Sequence, residues 1–77
     1  MLNRKELEQS GKLIIKIPDV EGDGVRKLYK VDRPAGGEPR YYLCVGTGRP
    51  QRFDPNFVGM YAGMAKKTPG SEVNLEA

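Results

Sequence analysis

The segment VRKLYKVDRPAGGEPRYYLCVG, Val25 to Gly46, decides how this chain is read. Two runs rich in β-branched and aromatic residues flank Pro34-Ala35-Gly36-Gly37-Glu38-Pro39. Such a breaker cluster between alternating runs marks two antiparallel strands joined by a hairpin loop. In the first run Val25, Lys27, Tyr29 and Val31 share one face, and Arg26, Leu28, Lys30 and Asp32 share the other, because side chains alternate along a strand. In the second run Tyr41, Leu43 and Val45 oppose Arg40, Tyr42 and Cys44.

Toward the N-terminus, KLIIKI (Lys12 to Ile17) reads as a further strand that stops at Pro18. It places Leu13, Ile15 and Ile17 on one face and Lys12, Ile14 and Lys16 on the other. The linking PDVEGDG is rich in turn residues. Before it, LNRKELEQSG reads as a short helix. Asn3 caps it, Glu6 completes a capping-box spacing, Leu2 and Leu7 sit where a hydrophobic staple places them, and Gly11 supplies the stop.

Toward the C-terminus, Asp54 is a good N-cap and Pro55 suits a first helical position, where its missing N–H costs nothing. Phe57, Tyr61 and Met64 follow at the spacing of a core-facing stripe. Lys66 and Lys67 suit the negative end of the helix dipole, and Thr68-Pro69-Gly70 ends the helix. SEVNLEA reads as a loose tail.

These elements predict an α+β fold, a three-stranded antiparallel β-meander with a C-terminal helix packed on one face and a short N-terminal helix. Residues 1–67 form a single compact domain and residues 68–77 a flexible C-terminal tail. The helix-covered face carries Leu13, Ile15, Ile17, Tyr29, Val31, Tyr41, Leu43 and Val45.

At 77 residues, the chain fits one domain. A domain of this size buries only about 60% of its unfolded surface, so nearly every large apolar residue must serve the core. The single cysteine, Cys44, makes no internal disulfide, and a reducing, cytoplasmic setting is the simpler expectation. No apolar run approaches a membrane span, and no hydrophobic block suits a signal peptide.

The net charge is +3, and its distribution is uneven. Residues 24–67 carry nine cations against three anions, or +6, while residues 1–23 sum to −1 and residues 68–77 to −2. A basic body of this kind attracts polyanions, nucleic acid included, or an acidic protein surface.

Catalytic constellations are poorly supplied, and the chain is read as a non-enzyme without metal or cofactor. No histidine is present to act as general base, and Cys44 lies inside a strand with no activating partner. One cysteine without histidine does not make an ordinary zinc site. DVEGDG places Asp19, Glu21, Asp23 and Gly24 at the first positions of an EF-hand-like loop, but the bidentate glutamate of position 12 is replaced by Lys30. An acidic turn is the better reading. Gly46-x-Gly48 lacks the third glycine of a dinucleotide fingerprint, since Gln51 stands there, and Asp54 occupies the anion seat of the following helix. Arg49 and Arg52 remain, on a loop, to touch an external phosphate or carboxylate.

Gly59 and Gly63 share the small-xxx-small spacing that lets a helix backbone be approached closely. Packing on the sheet is the simpler use, and contact with a partner or homodimer mate the sharper one. The second sheet face would align Ile14, Leu28 and Tyr42 within a rim of Lys12, Lys16, Arg26, Lys30 and Arg40. It could stack on bases, form a protein-binding patch, or lie beneath the N-terminal helix through Leu2 and Leu7.

The expected function is therefore that of a small binding or regulatory module, with nucleic acid as first reading. Its contacts would be Lys16, Arg26, Leu28, Lys30, Arg40, Tyr42, Arg49 and Arg52. The second reading is a protein-binding inhibitor or adaptor that occludes a larger partner's site, using Leu28, Tyr42 and the glycine-bearing helix. Neither reading involves a membrane, and both a monomer and a homodimer fit the sequence.

Overall fold

The computed structural model describes residues 3–18, 22 and 24–76. The staple role of Leu2, and the acidic residues Asp19, Glu21 and Asp23, lie outside the described residues. The fold is α+β, with an antiparallel sheet and two helices, one near each end of the chain. Among the described residues the sheet has five strands, not three. Its order is β4-β3-β2-β1-β5, from β1 (Lys12–Ile17), β2 (Arg26–Val31), β3 (Arg40–Val45), β4 (Gln51–Phe53) and β5 (Glu72–Val73).

The two added strands are too short to carry an alternation signal. β4 follows a tight turn in which the Gly48 N–H donates to the Val45 carbonyl at 2.9 Å, and it lies against β3 with Arg52 opposite Tyr42. Arg52 is thus a strand residue rather than a loop residue. β5 comes from the segment expected to be a tail. It pairs with β1, placing Val73 opposite Ile15 and Glu72 opposite Lys16. The Asn74 N–H donates to the Ile14 carbonyl at 2.7 Å and extends that edge.

Helix α1 (Arg4–Ser10) forms where its capping residues predict it. The Asn3 side chain accepts from the Glu6 N–H at 2.8 Å, satisfying one orphan donor of the first turn. Gly11 ends the helix with extended backbone, φ −93°, so a left-handed cap is not its role. A Cβ there would meet the Leu7 carbonyl oxygen at 2.8 Å and Val31 Cγ2 at 3.3 Å. The glycine lets the chain turn directly from helix into β1 while Leu7 stays seated on the sheet. At the other end, the Asp54 carboxylate accepts from the Asn56 N–H at 2.9 Å and Pro55 opens a 3₁₀ turn, Pro55–Phe57, that leads into α2 (Val58–Lys66). The cap is as read, but a single 3₁₀ turn precedes the α-helix.

The helices cover opposite faces of the sheet. On one face Leu7 packs with Tyr29 and Cys44, flanked by Val31 and Tyr42. On the other Ile14, Ile15, Ile17 and Leu28 pack with Ala62 and Ala65, flanked by Tyr41, Leu43, Phe53, Val58, Tyr61 and Val73. Two expectations are corrected here. Leu28 belongs to the face under α2 and is fully buried, whereas Tyr29 and Val31 belong to the face under α1. The alternation within β2 is as read, but both of its faces are apolar, so only cross-strand register fixes which helix each face meets. That register puts Leu28 opposite both Leu43 and Ile15.

The second correction concerns β1. Leu13 lies opposite Tyr29 and Ile15 opposite Leu28, so Ile14 is an extra residue and the ladder shifts there. Such a bulge breaks the period of two. Consecutive Ile14 and Ile15 therefore enter one core, at 2% and 0% exposure, while Leu13, expected inside, is 38% exposed. Where β2 is approached, Gly24 adopts φ +92°, and a Cβ on it would meet Gly46 Cα at 2.7 Å. Glycine alone suits that crossing.

Candidate docking surface on the second helix

The stripe Phe57, Tyr61 and Met64 is the obvious core face of α2 by sequence. The structure turns the helix differently. Ala62 and Ala65 are buried, Val58 and Tyr61 half-buried, and these four lie against the sheet. Phe57, Met60 and Met64 point outward, at 49%, 67% and 48% exposure. The reason is space. Ile14, Ile15, Ile17 and Leu28 already fill the sheet surface, and small alanines let the helix settle on it. Sequence periodicity weighs residue size, whereas the fold selects the side that fits.

The outward residues form a continuous surface. Phe53 at the end of β4, with Phe57, Met60, Tyr61 and Met64, lines an open groove of about 340 Å³. The Phe53 and Tyr61 rings form its sheet-side wall, with centroids 5.3 Å apart and planes inclined at 59°. Tilted pairs of this kind add stability beyond burial alone. Methionines contribute a pliant, polarisable rim that suits an apolar partner.

Gly59 and Gly63 are also exposed, on the flank of the helix turned away from the groove. A Cβ built on either has nothing within 4 Å. Packing on the sheet, the simpler use expected for them, is therefore not what they do. Each costs roughly 1 kcal/mol of helix stability relative to alanine. Neither position needs glycine to avoid a clash.

The basic residues do not gather on one face. Register places Lys16, Arg40, Tyr42 and Arg52 on the α1 side and Arg26, Lys30 and Leu28 on the α2 side. Arg40, Tyr42 and Arg52 do meet, since Tyr42 is opposite Arg52 and Arg40 lies two residues before it on the same face. Tyr42 is half-buried against the Leu7 cluster. Lys16 lies 3.8 Å from the Glu72 carboxylate, an exposed pair of small energetic weight. Arg49 is exposed in the β3–β4 turn. Leu28, at 0% exposure, cannot touch a partner of the folded protein. The row Ile14–Leu28–Tyr42 is thus not assembled, because Ile14 and Leu28 lie on the opposite face from Tyr42.

A second hollow, beside Arg40, is lined by Glu6, Val31, Asp32, Arg33, Pro34, Ala35, Arg40 and Tyr42. Two carboxylates and two guanidiniums cancel there, which gives an anion no net attraction. Cys44 is buried beneath α1. Burial pushes its thiol above the ordinary range; Arg4 opposes the rise, Glu8 adds to it and Lys27 opposes it. Such a thiol is held protonated and is a poor nucleophile. Among the described residues, no helix is long and apolar enough to cross a membrane.

Comparison with known proteins found no matching family model and no significant match to a curated protein or a solved structure.

Proposed function

We propose that this chain is a small non-catalytic binding module that docks a protein through the outer face of α2. One observation carries the reading. The helix buries alanines and presents Phe57, Met60 and Met64 outward. A 77-residue domain needs its large apolar groups for its own core, and exposing three of them side by side on a groove of aromatic walls is costly without a partner. An apolar centre with polar surroundings is the common anatomy of a protein interface. In this reading the module acts as an adaptor or inhibitor by occlusion.

A second reading, binding of nucleic acid, is favoured by the Arg40–Tyr42–Arg52 corner. There Tyr42, with Arg52 opposite it and Arg40 two residues before it on the same face, could stack on a base while the cations meet phosphates. The division of the other cations between two faces weakens it.

Two variants separate the readings. Met60→Glu should abolish binding of the protein partner and leave any nucleic-acid affinity unchanged. Arg52→Ala should do the reverse and reduce the salt dependence of binding. Parallel pull-downs and gel shifts with both variants would measure this. Protein binding that survives Met60→Glu would overturn the docking reading.

A further inference from the structure

We infer that the occupant of the α2 surface is the α2 of a second copy, packed antiparallel about a two-fold axis. This rests on the docking reading above and names its partner. The charges along the exposed side are ordered. Asp54 stands at the N-terminal end, Lys66 and Lys67 at the C-terminal end, and no charged residue lies between. All three are exposed.

A two-fold axis makes the interface self-complementary, so that if residue i of one copy meets residue j of the other, j also meets i. In an antiparallel pair, setting Asp54 against Lys67 also sets Phe57 against Met64 and Met60 against Tyr61. One register therefore joins opposite charges at both ends and apolar groups throughout the centre. Methionine sulfur against an aromatic ring is itself a favourable contact. A parallel pair would instead set lysines against lysines and Asp54 against Asp54. The antiparallel arrangement also opposes the two helix dipoles.

The test is sedimentation equilibrium of the full chain from micromolar to millimolar concentration, in moderate salt so that the +3 on each copy is screened. Wild type should reach twice the monomer mass, and Met60→Glu should stay monomeric with an unchanged circular dichroism spectrum. Lys67→Glu and Asp54→Lys should each weaken the dimer by about tenfold. An equimolar mixture of the two should form a heterodimer tighter than either variant alone, since each end then pairs opposite charges again. Asp54→Lys also loses the cap on Asn56. If it fails to fold, the weakening by Lys67→Glu, with its fold intact, carries the result.

A wild type that stays monomeric at millimolar concentration overturns the second copy as occupant. The docking reading survives that outcome if a protein partner shifts the Met60 and Met64 methyl resonances. A dimer indifferent to Met60→Glu overturns both. A mixture no tighter than its components overturns the antiparallel register.

Discussion

The two helices meet the same sheet in opposite ways. α1 has one large apolar residue among those described, Leu7, and buries it completely against Tyr29 and Cys44. α2 has several, and it buries Ala62 and Ala65 instead. A helix whose only anchor is a leucine must spend it on the sheet or detach. A helix that can seat itself on two alanines has its larger residues left over. The face under α1 is thus covered by the chain itself, and the outer side of α2 keeps Phe57, Met60 and Met64 exposed.

The sharpest way to break this comparison is to damage the core on which α2 rests. Leu28→Ala should cost about 2–5 kcal/mol. A domain of this size has only a few kcal/mol in total. Urea denaturation should find it largely unfolded, and a fully folded variant would mean that α2 does not depend on that core.

Leu7→Ala should act more locally. Its loss should free α1 and leave the five-stranded sheet and α2 in place, because among the described residues Leu7 is the one α1 residue in a core cluster. Cys44 should then react much faster with a thiol reagent. A cooperative loss of the whole far-ultraviolet signal would show instead that both faces stand or fall together.

Alkali should probe the same closed face. Burial, with smaller contributions from Glu8 and Cys44 outweighing Arg4, also raises Tyr29. For both Cys44 and Tyr29 the folded state favours the protonated form. Their protonated forms carry full stability below their ordinary values of 9.0 and 10.0, and that stability is lost as the pH rises through the raised values. Midpoints from denaturation at increasing pH should fall above about pH 9, and Cys44→Ala should flatten the earlier part of the fall.

The smallest effect should be of opposite sign. In a Met60→Glu background, where the proposed docking surface is disabled, Gly63→Ala should stabilise the monomer by about 0.5–1 kcal/mol. Its Cβ enters open space. A destabilisation would reveal a use for the glycine within the monomer.

Much of the skeleton was readable from particular residues. Asn3 and Glu6 announced α1, the Pro34–Pro39 breaker cluster announced the β2–β3 hairpin, and Asp54-Pro55 announced the start of the C-terminal helical segment. Each is a short-range signal in which a side chain acts on backbone a few residues away. The Arg40–Tyr42–Arg52 corner was half legible. All three residues were candidates, but their meeting depends on β4, whose three residues are too few for a period to emerge. The apolar surface was misread because Phe57, Tyr61 and Met64 have the spacing of a buried stripe, and only Tyr61 among them packs against the sheet.

The sequence by itself determined the three longer strands, the hairpin loop between β2 and β3, and the two helical segments with the residues that cap their starts. Those outcomes follow from local sterics and from hydrogen bonds within a few residues. The tertiary structure alone decided the face on which each residue lies. It placed the bulge at Ile14, turned Leu28 toward α2 and recruited Val73 into a fifth strand. Faces are settled by competition for volume and pairing partners between segments distant in the chain, and with apolar groups on both sides of β2 either assignment satisfied the local pattern. That same competition seated the alanines of α2 and left Phe57, Met60 and Met64 facing outward.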